Sequence, residues 1–111
     1  MPILQKLLTV YKLWYGYWFH LDKLTKFGLG LKIETLFIEI IENTFMASYK
    51  SGLDKLPYLT KASNSLDLLK FMLQAMWELK LLDNKKYVAL SQPLEEMGRM
   101  LGGWQRKTRT P

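Results

Sequence analysis

The sequence has no cysteine, which excludes a disulfide framework and any thiolate metal site. It has one histidine, His20, so no second imidazole exists to share a metal. Long apolar runs are missing as well. The longest uncharged stretch near the N-terminus, 13–21, falls far short of the ~20 residues that a membrane-spanning helix needs. Lys12 interrupts the apolar run that follows Lys6, which argues against a secretory leader. A cytoplasmic chain without membrane contact is therefore expected, with no cofactor and no metal. No segment alternates apolar and polar residues with period two over a useful length, and there is no internal repeat or low-complexity run.

What is present is apolar and strongly periodic. Hydrophobic residues fill 49% of the 111 positions, enough to bury one core and too many for a disordered chain. One domain over 1–106 is expected, followed by a basic tail at 107–111. Apolar residues recur at steps of three and four, the spacing that lines one helix face. They are Leu4, Leu7, Tyr11, Trp14, Trp18 and Leu21 in the first segment, and Ile33, Phe37, Ile40, Ile41 and Thr44 in the second. The third shows Leu59, Ala62, Leu66, Leu69, Leu73 and Met76; the fourth shows Tyr87, Leu90, Leu94, Met97, Leu101 and Trp104. Gly28 and Gly30 separate the first pair, Ser51-Gly52 closes the second helix, Pro57 suits a first turn, and Asp83 suits an N-cap. The pattern predicts helices over 3–24, 31–50, 55–82 and 84–105, joined by short loops into an all-α, up-down-up-down antiparallel four-helix bundle. Pro93 falls inside the fourth pattern, where a kink is expected in preference to a break near Ser91. On the first helix Tyr17 and Phe19 lie off the apolar stripe, which suggests a second contact surface, most simply another subunit.

The 16 Lys and Arg outnumber the 10 Asp and Glu, for a formal charge of +6. That excess favours an anionic partner, nucleic acid first, although solubility alone also accounts for it. In the expected topology one end collects Lys23, Lys26, Lys32, Lys80, Lys85 and Lys86, together with two helix N-termini. The other end collects Lys6, Lys50, Lys55, Arg106, Lys107 and Arg109. Contacts of this kind position a phosphate backbone and read no base sequence.

Catalytic constellations are missing. His20 stands alone and reads as a packed or hydrogen-bonded side chain. Glu95 and Glu96 are consecutive, so their carboxylates diverge around a helix. Gly28-Leu29-Gly30 follows a helix and lacks the rest of a phosphate-loop fingerprint. Gly102-Gly103 fits close helix approach or a C-terminal cap. The chain is not expected to be an enzyme.

The run Leu81-Leu82-Asp83-Asn84-Lys85-Lys86-Tyr87, then Leu90-Ser91, then Met97-Gly98-Arg99-Met100-Leu101-Gly102-Gly103-Trp104, resembles the Avd (accessory variability determinant) proteins of diversity-generating retroelements. More broadly it is similar to the four-helix bundle proteins encoded in ribosomal RNA intervening sequences. Lys26-Phe27, Leu29-Gly30, Ile33-Glu34 and Leu56-Pro57 with Leu59 extend the likeness over nearly the whole chain. Pro93 departs from the family pattern, where a helix former is expected.

The resemblance implies a homo-oligomeric ring, a pentamer, of four-helix bundles with a basic surface. It implies binding to the element's reverse transcriptase and to its template RNA or an RNA/DNA hybrid, in support of adenine-mutagenic cDNA synthesis and retrohoming. The polymerase would supply all the catalysis. On this basis Lys23, Lys26, Lys32, Lys85, Lys86, Arg99, Arg106 and Lys107 are the expected nucleic-acid contacts, and Tyr15, Tyr17 and Phe19 the expected subunit contacts. Alternatives are an intervening-sequence bundle protein and a purely structural oligomerisation module.

Overall fold

The computed structural model describes residues 2–110. Met1 and Pro111, the first residue of the expected bundle and the last of the expected tail, lie outside the described residues. The chain is 88% helix with no strand among the described residues. Four long helices dominate: α1 (Pro2–Phe19), α3 (Leu29–Ser48), α4 (Leu56–Glu78) and α5 (Asn84–Arg109), with a short α2 (Lys23–Phe27) between the first two. A 3-10 turn, Gly52–Lys55, leads into α4.

Side-chain contacts fix the directions. Trp14 of α1 reaches Glu34 of α3, while Trp18 meets the backbone near Gly30, so residue numbers run oppositely on the two helices. The same inverse order links Glu39 of α3 to Ser65 of α4, and Lys50, just past the end of α3, to Tyr58 of α4. It links Trp77 to Tyr87 and Lys70 to Glu95 between α4 and α5, and Lys6 to Glu96 and Tyr17 to Lys86 between α1 and α5. Each long helix is antiparallel to its two neighbours, in the cyclic order α1, α3, α4, α5, which is the up-down-up-down arrangement that short loops favour.

The core is aliphatic around two large rings. Trp14 and Phe37 are fully buried and stack at 6.1 Å between centroids, with Leu7, Ile33, Ile40, Leu66, Leu69, Leu73, Leu90 and Leu94 packed around them. All six residues of the expected α4 stripe are buried, as are Leu90, Leu94, Met97 and Leu101 on α5. On α1 the buried line is Ile3, Leu7, Val10 and Trp14, one step round from the expected stripe. Leu4, Tyr11 and Trp18 flank it, half-buried. Thr44 is the one fully buried polar side chain in that core, and its hydroxyl has no hydrogen-bond partner.

The helix ends differ from expectation in three places. The first helix does not reach 24; α1 stops at Phe19, and Asp22 starts α2 by accepting from the Thr25 N–H (3.2 Å) and hydroxyl (2.6 Å). That double cap outcompetes continuation of α1. Gly28 divides α2 from α3, whereas Gly30 lies inside α3 and is buried. A Cβ there would sit 2.9 Å from the Thr25 carbonyl oxygen, so only glycine lets α2 fold this tightly onto α3.

Likewise α4 ends at Glu78 and not 82. Lys80 takes a left-handed φ of 64°, with Leu81 N–H donating to the Met76 carbonyl (2.8 Å) and Lys80 N–H to that of Trp77 (3.0 Å). This is the paired bond of a Schellman cap, formed on a lysine in place of the usual glycine. Finally, α5 continues through Gly102 and Gly103 to Arg109, so no separate tail begins at 107. Neither glycine marks a cap; the Arg106 guanidinium folds back over them, 3.4 Å from where a Gly102 Cβ would stand. Arg106, Lys107 and Arg109 also complement the negative end of the helix dipole, which favours the extra turn. The helix also passes unbroken through Pro93.

Candidate nucleic-acid interface

The lysines gather where the helix starts place them. Lys23 opens α2, Lys32 lies in the first turn of α3, and Lys85 and Lys86 lie in the first turn of α5. The antiparallel packing brings these starts to one end of a molecule 48 Å long, as the Lys86 ammonium over the Tyr17 ring (5.4 Å) records. Lys23, Lys32, Lys85 and Lys86 are exposed. Asp22 and Asp83 share this end, but each carboxylate is engaged in capping its own helix. The capping bonds from Thr25 hold the Asp22 carboxyl below the usual carboxylate range, so it stays charged and occupied.

Lys26 is different. Its ammonium donates to the Phe19 carbonyl (3.2 Å) and lies over the rings of Trp18 (4.6 Å) and Phe19 (4.7 Å). Part of its charge therefore serves to pin α2 against α1. Arg99 is exposed on the middle of α5, apart from both ends and beside Glu96. Arg106 and Lys107 sit at the far end with Lys55, whose ammonium bonds the Ala47 carbonyl (3.1 Å) and covers the Trp104 ring (5.5 Å). The eight expected contacts thus divide into five at one end, one in the middle and two at the other end.

The electrostatic inventory separates tied cations from free ones. Among the described residues only Lys6 and Lys70 make ion pairs: Lys6 with Glu96, and Lys70 with Glu95 (3.4 Å) and Asp67 (3.9 Å). Both pairs lie along the body of the bundle, and Lys6 holds the Glu96 carboxyl below its ordinary range. Among the described residues none of the eight expected contacts makes an ion pair with a carboxylate. Unpaired cations at three helix starts form a surface on which an anion gains charge-assisted hydrogen bonds without displacing a carboxylate partner.

A second kind of surface lies on the flanks. On α3, Leu31, Ile38 and Phe45 are exposed at intervals of seven, one stripe along the helix. On α1, Leu8, Tyr15 and Phe19 form another. Tyr11 and Trp14, which bridge to Glu34 and Phe37, occupy the seam between them, so the two stripes border one α1/α3 face. A separate apolar stripe, Leu68, Phe71 and Leu79, is exposed on α4, diagonal to α1. Tyr15 and Phe19 thus lie on an exposed apolar face, whereas Tyr17 turns toward α5 and is half-buried under Lys86. The seven-residue spacing of Leu31, Ile38 and Phe45 was a signal for the α3 half of this face, and sequence reasoning did not use it.

Among the described residues no helix is long and apolar enough to cross a membrane, and no cluster of three or more His, Asp or Glu stands close enough to hold a metal. The profile of the bAvd family, described as bAvd-like, matches residues 1–108. No curated protein matches the chain significantly.

Proposed function

The chain belongs to the bAvd-like family, and from that membership we propose that it is a non-catalytic accessory subunit of a diversity-generating retroelement. In this role it binds the element's reverse transcriptase and template RNA and supports adenine-mutagenic cDNA synthesis. The polymerase carries out the chemistry; this chain contributes a rigid scaffold and a cationic surface. The observation that carries the nucleic-acid part is the unpaired lysine set at the α2/α5 end, Lys23, Lys32, Lys85 and Lys86, with Lys26 behind it.

The apolar faces support self-association. The α1/α3 face and the α4 stripe are different surfaces, so one copy's α1/α3 face meeting another's α4 stripe is a heterologous contact. Such contacts close into a ring when the rotation permits, and a pentamer is the stoichiometry proposed here. Tyr15 and Phe19 are contacts in that ring, and Tyr17 braces α1 from within the subunit.

Light scattering on the purified protein, alone and then with template RNA and the reverse transcriptase, tests this reading. A pentamer that forms a larger, salt-sensitive complex and raises cDNA yield is the expected result. A monomer indifferent to both partners would refute it.

A further inference from the structure

The corner built from the end of α1, α2 and the start of α3 carries more than charge. Phe27 is 59% exposed and Phe19 62% exposed, side by side with Lys23 and Lys26. Phe27 meets Trp18 edge-on (6.3 Å, 87°), and Phe19 meets His20 in the same way (5.8 Å, 82°). Neither ring is stacked face to face with a neighbour. Lys26 covers one side of Phe19, whereas no ammonium lies over the Phe27 ring among the described residues. Lys23, Leu24, Phe27 and Gly28 line a shallow hollow of about 560 Å³. The only acid in this stretch, Asp22, is bonded to Thr25.

We propose that this corner takes unpaired nucleotides by stacking a base on Phe27, and so makes the protein selective for single-stranded over duplex RNA. The inference rests on the reading that the chain binds nucleic acid and adds which form of it is bound. Lysines alone attract any phosphate backbone, paired or not. An aromatic face adds affinity only where a base face is free, because in a duplex those faces are already stacked on one another. The juxtaposition of an open ring with ammonium groups that lack carboxylate partners is the arrangement that single strands reward: base on ring, phosphate on lysine. Phe27 and Leu24 lie on α2, beyond the seven-residue stripes of the α1/α3 face, so this use does not compete with subunit contact.

The test uses fluorescence anisotropy with the full chain. The probes are a short end-labelled RNA strand of mixed sequence and the same strand annealed to its complement, at one ionic strength. The wild type should bind the single strand more tightly. Phe27→Ala should weaken single-strand binding about tenfold, the stacking contribution of one base. Duplex affinity, helicity and oligomer mass should not change, and Phe27→Trp should retain the single-strand affinity. Equal losses on strand and duplex, no loss at all, or a change in oligomer mass would each overturn the proposal, the last by assigning Phe27 to a protein contact. Wild-type binding of equal strength to both probes would remove the stacking platform and leave the cationic surface standing. No binding to either probe would remove the nucleic-acid reading itself.

Discussion

Replacing Lys23, Lys32 and Lys85 together with glutamine gives a quantitative test of the cationic end. These three were chosen because each is exposed and none makes an ion pair, so their removal leaves no orphaned carboxylate. Lys26 and Lys86 stay, since both lie over aromatic rings and their loss would also disturb packing. Each phosphate contact to a single strand contributes about 0.7 to the slope of log affinity against log salt. Three lost contacts should make the slope shallower by about 2. Between 1 M salt, where the contribution vanishes, and about 0.15 M, that amounts to roughly a fiftyfold loss of affinity, or about 2.3 kcal/mol. Stability should hold or rise slightly, because lysines in the first turn of a helix oppose its dipole. Filter binding across a salt series measures the slope, and Lys12→Gln with Lys61→Gln, which removes two charges away from this end, serves as the control. A slope and affinity equal to wild type in the folded triple variant would refute the placement of the surface.

Thr44→Val replaces a fully buried hydroxyl that has no partner with a methyl of similar shape, and should raise stability by about 1–2 kcal/mol. For a chain of 111 residues that is a gain of about 4–8 °C in Tm at fixed protein concentration, by calorimetry; a loss would mean that the hydroxyl is bonded. Gly30→Ala should cost about 1–3 kcal/mol, because the new Cβ meets the Thr25 carbonyl at 2.9 Å, while Gly16→Ala, with open space around it, should gain up to about 1 kcal/mol in urea unfolding. Burial, then the hydrogen bond to Glu34, pushes Tyr11 up to about 12. A raised folded-state value favours the protonated native form, so stability is intact below pH 10 and falls as pH rises toward 12. Tyr11→Phe should flatten that alkaline loss in thermal melts recorded across the range.

Much of the bundle was legible because burial on α4 and α5 is one-sided. A helix with one neighbour-facing stripe and a polar back shows its period plainly, and Leu59 through Met76 follow it residue by residue. On α1 the period was ambiguous, since flank and core are both apolar. Tyr11 and Trp18 scored as core by spacing, yet Tyr11 bridges to Glu34 of α3 and Trp18 to the Lys26 carbonyl of α2, while Ile3 and Val10 go inward. The break at residues 20–22 depends on one aspartate reaching one threonine, a local competition that hydrophobic period does not register. The Lys80 cap was hidden for the opposite reason: sequence rules seek glycine there, and the left-handed residue is a lysine. For the candidate site, the charge was readable as a list, but its division into tied and free cations needed the side-chain geometry. Lys26 and Lys55 look no different from Lys23 until the carbonyls and rings beside them are seen.

Helix α5 runs nearly the full length of the molecule, with Lys85 and Lys86 in its first turn and Arg106, Lys107 and Arg109 in its last. At 1.5 Å per residue the two groups stand roughly 30 Å apart, and an uninterrupted helix holds that distance fixed. A nucleic acid touching both groups would be gripped bivalently, its second contact made at a high effective concentration set by a ruler and not by a flexible tether. Strands too short to span the rod would be held at one point only. Affinity should then rise abruptly, not smoothly, once RNA length passes about nine nucleotides, the number of phosphates that one helically stacked strand sets along such a distance at about 3.4 Å each.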